Sequence, residues 1–169
     1  MARLSGLPAA DKIDHTRFRT VRRGNGVTVF TIGYEKRDAD DLISALRDAG
    51  VEMLADVREK PMSRKPDFRG AALRRSCEQA GIAYEGWAQL GSTEDQRARL
   101  HATSDFTTFE REFRNFAVSQ RCGELDRLAE RASATSVALL CYERNHDECH
   151  RSVVADLLAD RLDATIVAL

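Results

Sequence analysis

Short, unbroken apolar runs alternate along this chain with segments of helical periodicity, and that alternation restricts the fold more than any other feature. The runs are "VTVFTIG" (27–33), "VEMLADVR" (51–58), "IAYEGW" (82–87), "SVALLCYE" (136–143) and "ATIVAL" (164–169). Continuous rather than alternating hydrophobicity marks strands buried on both faces. Between them, "RDADDLISALRDAG" carries Asp38 as a cap, a Leu42/Leu46/Ala49 face and a Gly50 stop. "FRGAALRRSCEQAG" closes a second helix at Gly81, and "CHRSVVADLLADRL" forms a last one. The segment from Ser104 to Arg131 is mostly helical, with Phe106, Phe109, Phe113 and Phe116 spaced as a buried stripe. Strands and helices in this order predict one three-layer α/β domain over residues 27–169, its mostly parallel sheet flanked by helices. Residues 1–26 read as an N-terminal arm with a turn at Gly24-Asn25-Gly26.

A chain of 169 residues with 43% hydrophobic content builds a core of its own, and no apolar run approaches the ~20 residues of a membrane span. The cysteines at 77, 122, 141 and 149 form no compact disulfide framework, so reduced thiols and a cytoplasmic location are expected. A net charge of -1 excludes a global basic field, but "RFRTVRR" (17–23) and "REKPMSRKPDFRGAALRR" (58–75) are locally cationic.

In a parallel α/β sheet, ligands bind beyond the carboxyl ends of the strands. Those ends carry Tyr34 and Glu35, Asp56 and Arg58, Tyr84 and Glu85, and Cys141, Tyr142 and Glu143. One constellation follows the second strand: Asp56, Arg58, Ser63, Arg64, Lys65 and Arg69, in a loop restricted by Pro61 and Pro66. Its guanidinium groups suit phosphate recognition, and Phe68, Tyr84 and Trp87 offer faces for stacking a base. The bland alternative is a solvated loop with Asp56 paired to Arg58, and each aromatic packed in the core.

The other constellation is "CYERNHDECHR" (141–151). A helix starting near Cys149 presents backbone N–H groups and, with Arg151, an anion cradle. Cys149 at that spot is expected to have a lowered pKa and to serve as a reserve nucleophile. Glu143, with Asp56 as alternative, is the candidate for proton transfer, and His150 for proton shuttling. Equally, Glu143 reads as an ion-pair partner for Arg58 or Arg151, with Cys149 merely packed. Zinc held by Cys141, His146, Cys149 and His150 is the weakest reading, because there is no CxxC and neighbouring residues starting a helix seldom point at one ion. No metal and no cofactor is therefore expected. Neither a Cys-x5-Arg phosphatase loop nor a Walker glycine loop is present.

Taken together, "FTIGYEKR", "LADVREKPMSRKPDF", "GIAYEGWAQLG" and "ALLCYERNHDECHRSVVA" resemble, in order and over roughly residues 27–160, the domain-of-unknown-function 488 family. The family pattern runs through threonine-isoleucine-glycine, aspartate-valine-arginine, a Pro/Ser/Arg loop, cysteine-x-glutamate and cysteine-histidine-arginine. Tyr34-Glu35 departs from it, where the family often shows histidine-serine. The resemblance implies an α/β domain with a shared pocket and supplies no reaction.

The expectation is a small enzyme acting by hydrolysis or group transfer on a phosphate-bearing substrate, with nucleotide or nucleic acid favoured. Tyr34, Arg58, Ser63, Arg64, Arg69 and Arg151 would contact it; Glu143, Asp56, Cys149 and His150 would do the chemistry. A non-catalytic binding module using Arg17, Arg19, Arg22, Arg23, Arg64 and Arg69 is the rival. A third reading is a subunit whose phenylalanine-rich helix docks a partner, a second copy of the chain included.

Overall fold

The computed structural model describes residues 18–169. Its six strands are β1 (Arg19–Arg22), β2 (Thr28–Gly33), β3 (Met53–Asp56), β4 (Ala83–Gly86), β5 (Val137–Cys141) and β6 (Thr165–Ala168). They form one sheet in the order β1-β6-β2-β5-β3-β4, with β1 antiparallel to β6 and every other pair parallel. The expected three-layer α/β architecture is thus the observed one.

Helices α1 (Ala39–Asp48) and α2 (Gly70–Gln79) cover one face, where Leu42, Leu46, Leu73 and Cys77 pack on Phe30, Ile32, Leu54, Ala138 and Leu140. The opposite face carries α4 (Phe106–Gln120), α5 (Cys122–Ala134) and α6 (His150–Leu162). There Phe109, Phe113, Leu125, Leu128, Val153 and Leu157 meet Val29, Ala55, Val137 and Leu139. Successive strand residues point to opposite faces, so unbroken runs such as Val137–Cys141 feed both cores at once. The phenylalanine stripe is core, as its spacing predicts: Phe109 and Phe113 are buried, and Phe106 and Phe116 pack beside them.

Two elements differ from the sequence reading. Residues 19–22, assigned there to the arm, form edge strand β1; residues 1–17, with Arg17, lie outside the described residues. Residues 94–103 form helix α3 (Glu94–Thr103), which no apolar periodicity announces; a capping box of Thr93 and Gln96 starts it.

Chain order within the sheet locates the ligand edge. From β2 the chain moves through α1 to β3 on one side, whereas from β5 it moves through α6 to β6 on the other. The adjacent β2 and β5 are therefore the topological switch point, where the outgoing loops diverge to opposite faces. Their ends stay bound for two further residues, because the Tyr34 N–H donates to the Cys141 carbonyl and the Glu35 N–H to that of Tyr142. Gly33 is required here, since a Cβ would overlap the Glu143 carbonyl oxygen.

Candidate functional site

Two polar networks flank the switch point. On the α1/α2 side, Asp56 ends β3 with 1% of its surface exposed, and Arg58 is 6% exposed. Arg58 donates through Nε to Asp56 Oδ1 at 2.8 Å and through NH2 to Oδ2 at 2.5 Å. Its NH1 reaches the Tyr34 hydroxyl at 3.1 Å and the Phe68 carbonyl at 2.9 Å. The Tyr84 hydroxyl donates to Asp56 Oδ2 at 2.6 Å, and the Tyr34 ring stacks on Phe68 with centroids 4.5 Å apart. Burial alone would lower the Arg58 pKa, but the hydrogen bond and charge of Asp56 outweigh it and leave the group firmly cationic. Burial and the Asp56 charge raise the Tyr84 hydroxyl. Asp56, Arg58, Tyr34 and Phe68 are brought together, but as a strut that clamps the 57–69 loop onto three strands. Arg58 spends its donors inside the protein.

Across the sheet, β5 and the start of α6 bring Cys141, Glu143, Cys149 and His150 together. Glu143 Oε2 accepts from Cys149 Sγ at 2.9 Å and from Cys141 Sγ at 3.2 Å. His150 Nδ1 lies 3.6 Å from Cys141 Sγ and 3.9 Å from Cys149 Sγ, while Nε2 lies 2.9 Å from the Val57 carbonyl oxygen. A carbonyl only accepts, so Nε2 carries the hydrogen and Nδ1 of the neutral ring turns its lone pair to the thiols. The Phe113 ring meets the imidazole edge-on and closes the apolar side.

The acid–base states of this network differ from expectation in one respect. Burial pushes the Cys149 thiol well above its ordinary value, with the adjoining Cys141 adding to the shift, so the helix start does not activate it as a thiolate nucleophile. Glu143 is tuned the opposite way. Burial would raise it, but hydrogen bonds from Cys149, its own backbone N–H and Cys141 hold the carboxyl below its usual range. For His150, burial pulls down, yet its contact with Cys149, the Val57 carbonyl and the Glu143 carboxylate raise the ring overall. His146 stands apart from the thiols: its Nδ1 lies 2.9 Å from Thr31 Oγ1.

Arg151, 1% exposed, turns to the loop after β5. Its NH1 donates to the Glu143 carbonyl at 2.5 Å and NH2 to that of Arg144 at 3.2 Å, so it straps the loop after β5 from beneath. Its buried Nε has no partner among the described residues, nor has the buried Nε of Arg37. Arg37, half-buried four residues past β2, carries no sequence signal because it sits in a loop without pattern. Its pKa is lowered by burial first, then by the positive charges of Arg144 and Arg151. Lys65 Nζ joins these cations by donating to the Arg37 carbonyl at 2.6 Å.

The remaining predicted contact residues lie further out. Ser63 Oγ accepts from the Lys65 N–H, and Arg69 Nε donates to the Ser63 carbonyl, both ordering the loop. Arg64 and Arg144 are exposed, and neither guanidinium has a side-chain partner among the described residues. Arg19 is paired with Asp147 and Arg22 with Asp160, which removes two cations from the rival contact face. Two surface depressions, one beside Tyr84, Trp87 and Arg127 and one beside Glu59, Phe116 and Arg121, hold no thiol or imidazole, so chemistry rather than concavity locates the site.

The motifs that end the strands therefore converge in space: aspartate-valine-arginine in the strut, cysteine-x-glutamate and cysteine-histidine-arginine in the thiol network. The sequence model of the family described as Domain of unknown function DUF488 matches residues 38–158. The chain belongs to the DUF488 family. Within this DUF488 chain, the matched span covers α1 through most of α6 and so includes the thiol network and, apart from Tyr34, the Asp56–Arg58 network. Comparison with curated proteins and with solved structures gave no match. Among the described residues, no helix of this DUF488 protein is long and apolar enough to cross a membrane.

Proposed function

We propose that this DUF488 protein is an enzyme that binds a phosphate-bearing substrate over the β2–β5 switch point and acts on it by hydrolysis or group transfer. One observation carries the reading. Arg37, Arg144 and Arg151 gather at the carboxyl ends of β2 and β5 closely enough for the last two to act on the charge of Arg37, and the buried Nε donors of Arg37 and Arg151 lack partners among the described residues. Like charges brought together at a ligand-binding edge are relieved by an anion, and guanidinium groups suit phosphate oxygens. Exposed Tyr142, edge-on to Tyr34, stands in the same loop and offers a face for a base, which favours a nucleotide or nucleic acid. Glu143, ionised and attached to that loop, is the proton acceptor, with His150 behind it.

The roles of the arginines are thereby redistributed. Arg144 and Arg37 contact the anion, Arg64 adds to the rim, and Arg58 holds the scaffold. A thermal-shift screen against mononucleotides, sugar phosphates and short oligonucleotides tests this, since a ligand of the native state raises the melting temperature by mass action. A nucleotide response that disappears in Arg144→Ala and in Arg37→Ala is expected. A response that survives both substitutions, or silence across the panel, overturns the reading.

A further inference from the structure

We propose that Cys141, Cys149 and His150 bind a divalent transition-metal ion, zinc foremost, with Glu143 as the fourth ligand. The inference goes beyond the anion reading: it shares Glu143 and His150 with that reading but rests on none of the arginines that carry it. Cys141 Sγ, Cys149 Sγ and a ring nitrogen of His150 all lie within 4.8 Å of one another. In a tetrahedral site with Zn–S and Zn–N bonds of about 2.3 and 2.0 Å, ligand atoms are separated by about 3.5–3.8 Å. Of the observed S···N separations, 3.6 Å falls within that range and 3.9 Å just beyond it. Glu143 Oε2 lies 2.9 and 3.2 Å from the two sulfurs, closer than two ligands of one ion stand, so its side chain must turn away from them to complete the tetrahedron.

The imidazole supplies a second, independent argument. A histidine that ligates through one ring nitrogen almost always donates its other N–H to a carbonyl or carboxylate, which fixes the tautomer. His150 meets this condition through Nε2 and the Val57 carbonyl, leaving Nδ1 on the side of the sulfurs. The backbone removes the objection raised from the sequence, that adjacent residues starting a helix diverge. Cys149 is the residue before the helix and is extended (φ -138°, ψ 142°), so its side chain and that of His150 are not set by helical geometry together. The sites of Cys141 and Cys149 are also backed by rigid elements: β5 at the centre of the sheet and the first turn of α6.

Donor chemistry selects the ion. Two thiolates, an imidazole and a carboxylate form a mixed soft and borderline set that suits zinc, whereas magnesium and calcium require oxygen ligands. Binding releases the thiol protons, and the net charge of the filled site is -1 with both cysteines and Glu143 ionised, next to the Arg151 guanidinium that straps the Glu143 carbonyl.

Cobalt(II) titration of the reduced, metal-stripped full chain tests the proposal. The expected result is a thiolate-to-cobalt charge-transfer band with intense visible bands of a tetrahedral ion, saturating at about one ion per chain and erased by zinc. Cys141→Ser and Cys149→Ser should each weaken binding by at least ~100-fold, while Cys122→Ser, at an exposed cysteine outside the cluster, should bind as the parent does. Glu143→Gln should keep the charge-transfer band and lose ~10–100-fold in affinity. Because the buried cysteine variants could fold poorly, the parent chain gives a further readout: its melting temperature should rise with zinc and return with chelator. No charge-transfer band in the folded parent, a band that persists in both cysteine variants, or a melting temperature indifferent to zinc overturns the site. None of these readouts depends on a phosphate ligand, so failure here leaves the anion reading to its own test.

Discussion

The two networks at the carboxyl edge lie on opposite sides of the sheet and use polar groups in opposite ways. In the Asp56–Arg58 network every buried side-chain donor and acceptor is matched: carboxylate to guanidinium, guanidinium to hydroxyl and carbonyl, hydroxyl back to carboxylate. A closed circuit of this kind holds a loop in place and offers nothing to a ligand. The Cys141–Glu143–Cys149–His150 network is looser. Two weak S–H donors share one carboxylate oxygen, an imidazole lone pair faces both sulfurs, and the Nε of the arginine beneath has no partner among the described residues. The difference teaches that burial and charge alone do not distinguish a site from a scaffold; whether hydrogen-bonding capacity is used up does.

The largest test of that contrast is Asp56→Ala. Removing the carboxylate strands a buried guanidinium and a buried tyrosine hydroxyl together, and breaking a buried pair from one side costs about 3–5 kcal/mol. Urea unfolding should show a loss of that size. A loss below about 1 kcal/mol would mean the strut is not closed, and Arg58 would return as a candidate ligand for an anion.

Next in size is a pH effect at the edge of the second network. His146 is buried against Thr31, and burial, then the positive charge of Arg151, lower its pKa to about 4; the Asp147 carboxylate opposes the shift and Arg19 adds slightly to it. The unfolded chain therefore takes up this proton at higher pH than the native state does. The contribution to stability is fully present above about pH 6.5 and is lost as pH falls through about 4, amounting to at most about 3 kcal/mol. Denaturation midpoints across that window should fall in the parent and fall less in His146→Gln. Parallel curves would show that His146 titrates alike in both states.

Tyr84→Phe probes the strut more gently. The hydroxyl is one donor of several to Asp56, and a hydrogen bond to a charged group contributes about 1.5–3 kcal/mol. A loss near 2 kcal/mol in urea unfolding, smaller than that of Asp56→Ala, is expected. If the two variants lose the same amount, the Arg58 contribution is negligible.

How much of this arrangement could be read in advance follows from the kind of signal each residue leaves. The central strands were legible because Val29, Phe30, Leu139 and Leu140 are buried on both faces and so form unbroken apolar runs. Strand β1, "RTVR", has no such run: it is an edge strand, three of its four residues are polar, and it is held by backbone pairing to β6. Helix α3 was invisible for a related reason, since capping rather than a buried face starts it. At the site, sequence placed Asp56, Glu143, Cys149 and Arg151 at strand and helix ends, where they are. It could not say which way they turn. Arg151, expected at an anion cradle, has two of its donors on loop carbonyls, and Cys149, expected at the helix start, is there in extended backbone that turns its side chain toward Cys141 and Glu143. Side-chain direction at a helix start depends on φ and ψ of one residue, and no periodicity encodes that.

The smallest effect on stability, and the sharpest on the comparison, belongs to Glu143→Gln. The carboxylate is only partly buried and its partners are two thiols, so an amide of the same size keeps an oxygen to accept from them. A change within about 1 kcal/mol is expected in the same unfolding assay that registers several kcal/mol for Asp56→Ala. What the amide removes is the charge: a proton acceptor for the proposed reaction and an anionic ligand for the proposed metal ion. The variant should thus fold and melt like the parent while losing turnover and ion affinity. Should it instead unfold as readily as Asp56→Ala, the thiol network would be a second strut, and the contrast between the two sides of the sheet would collapse.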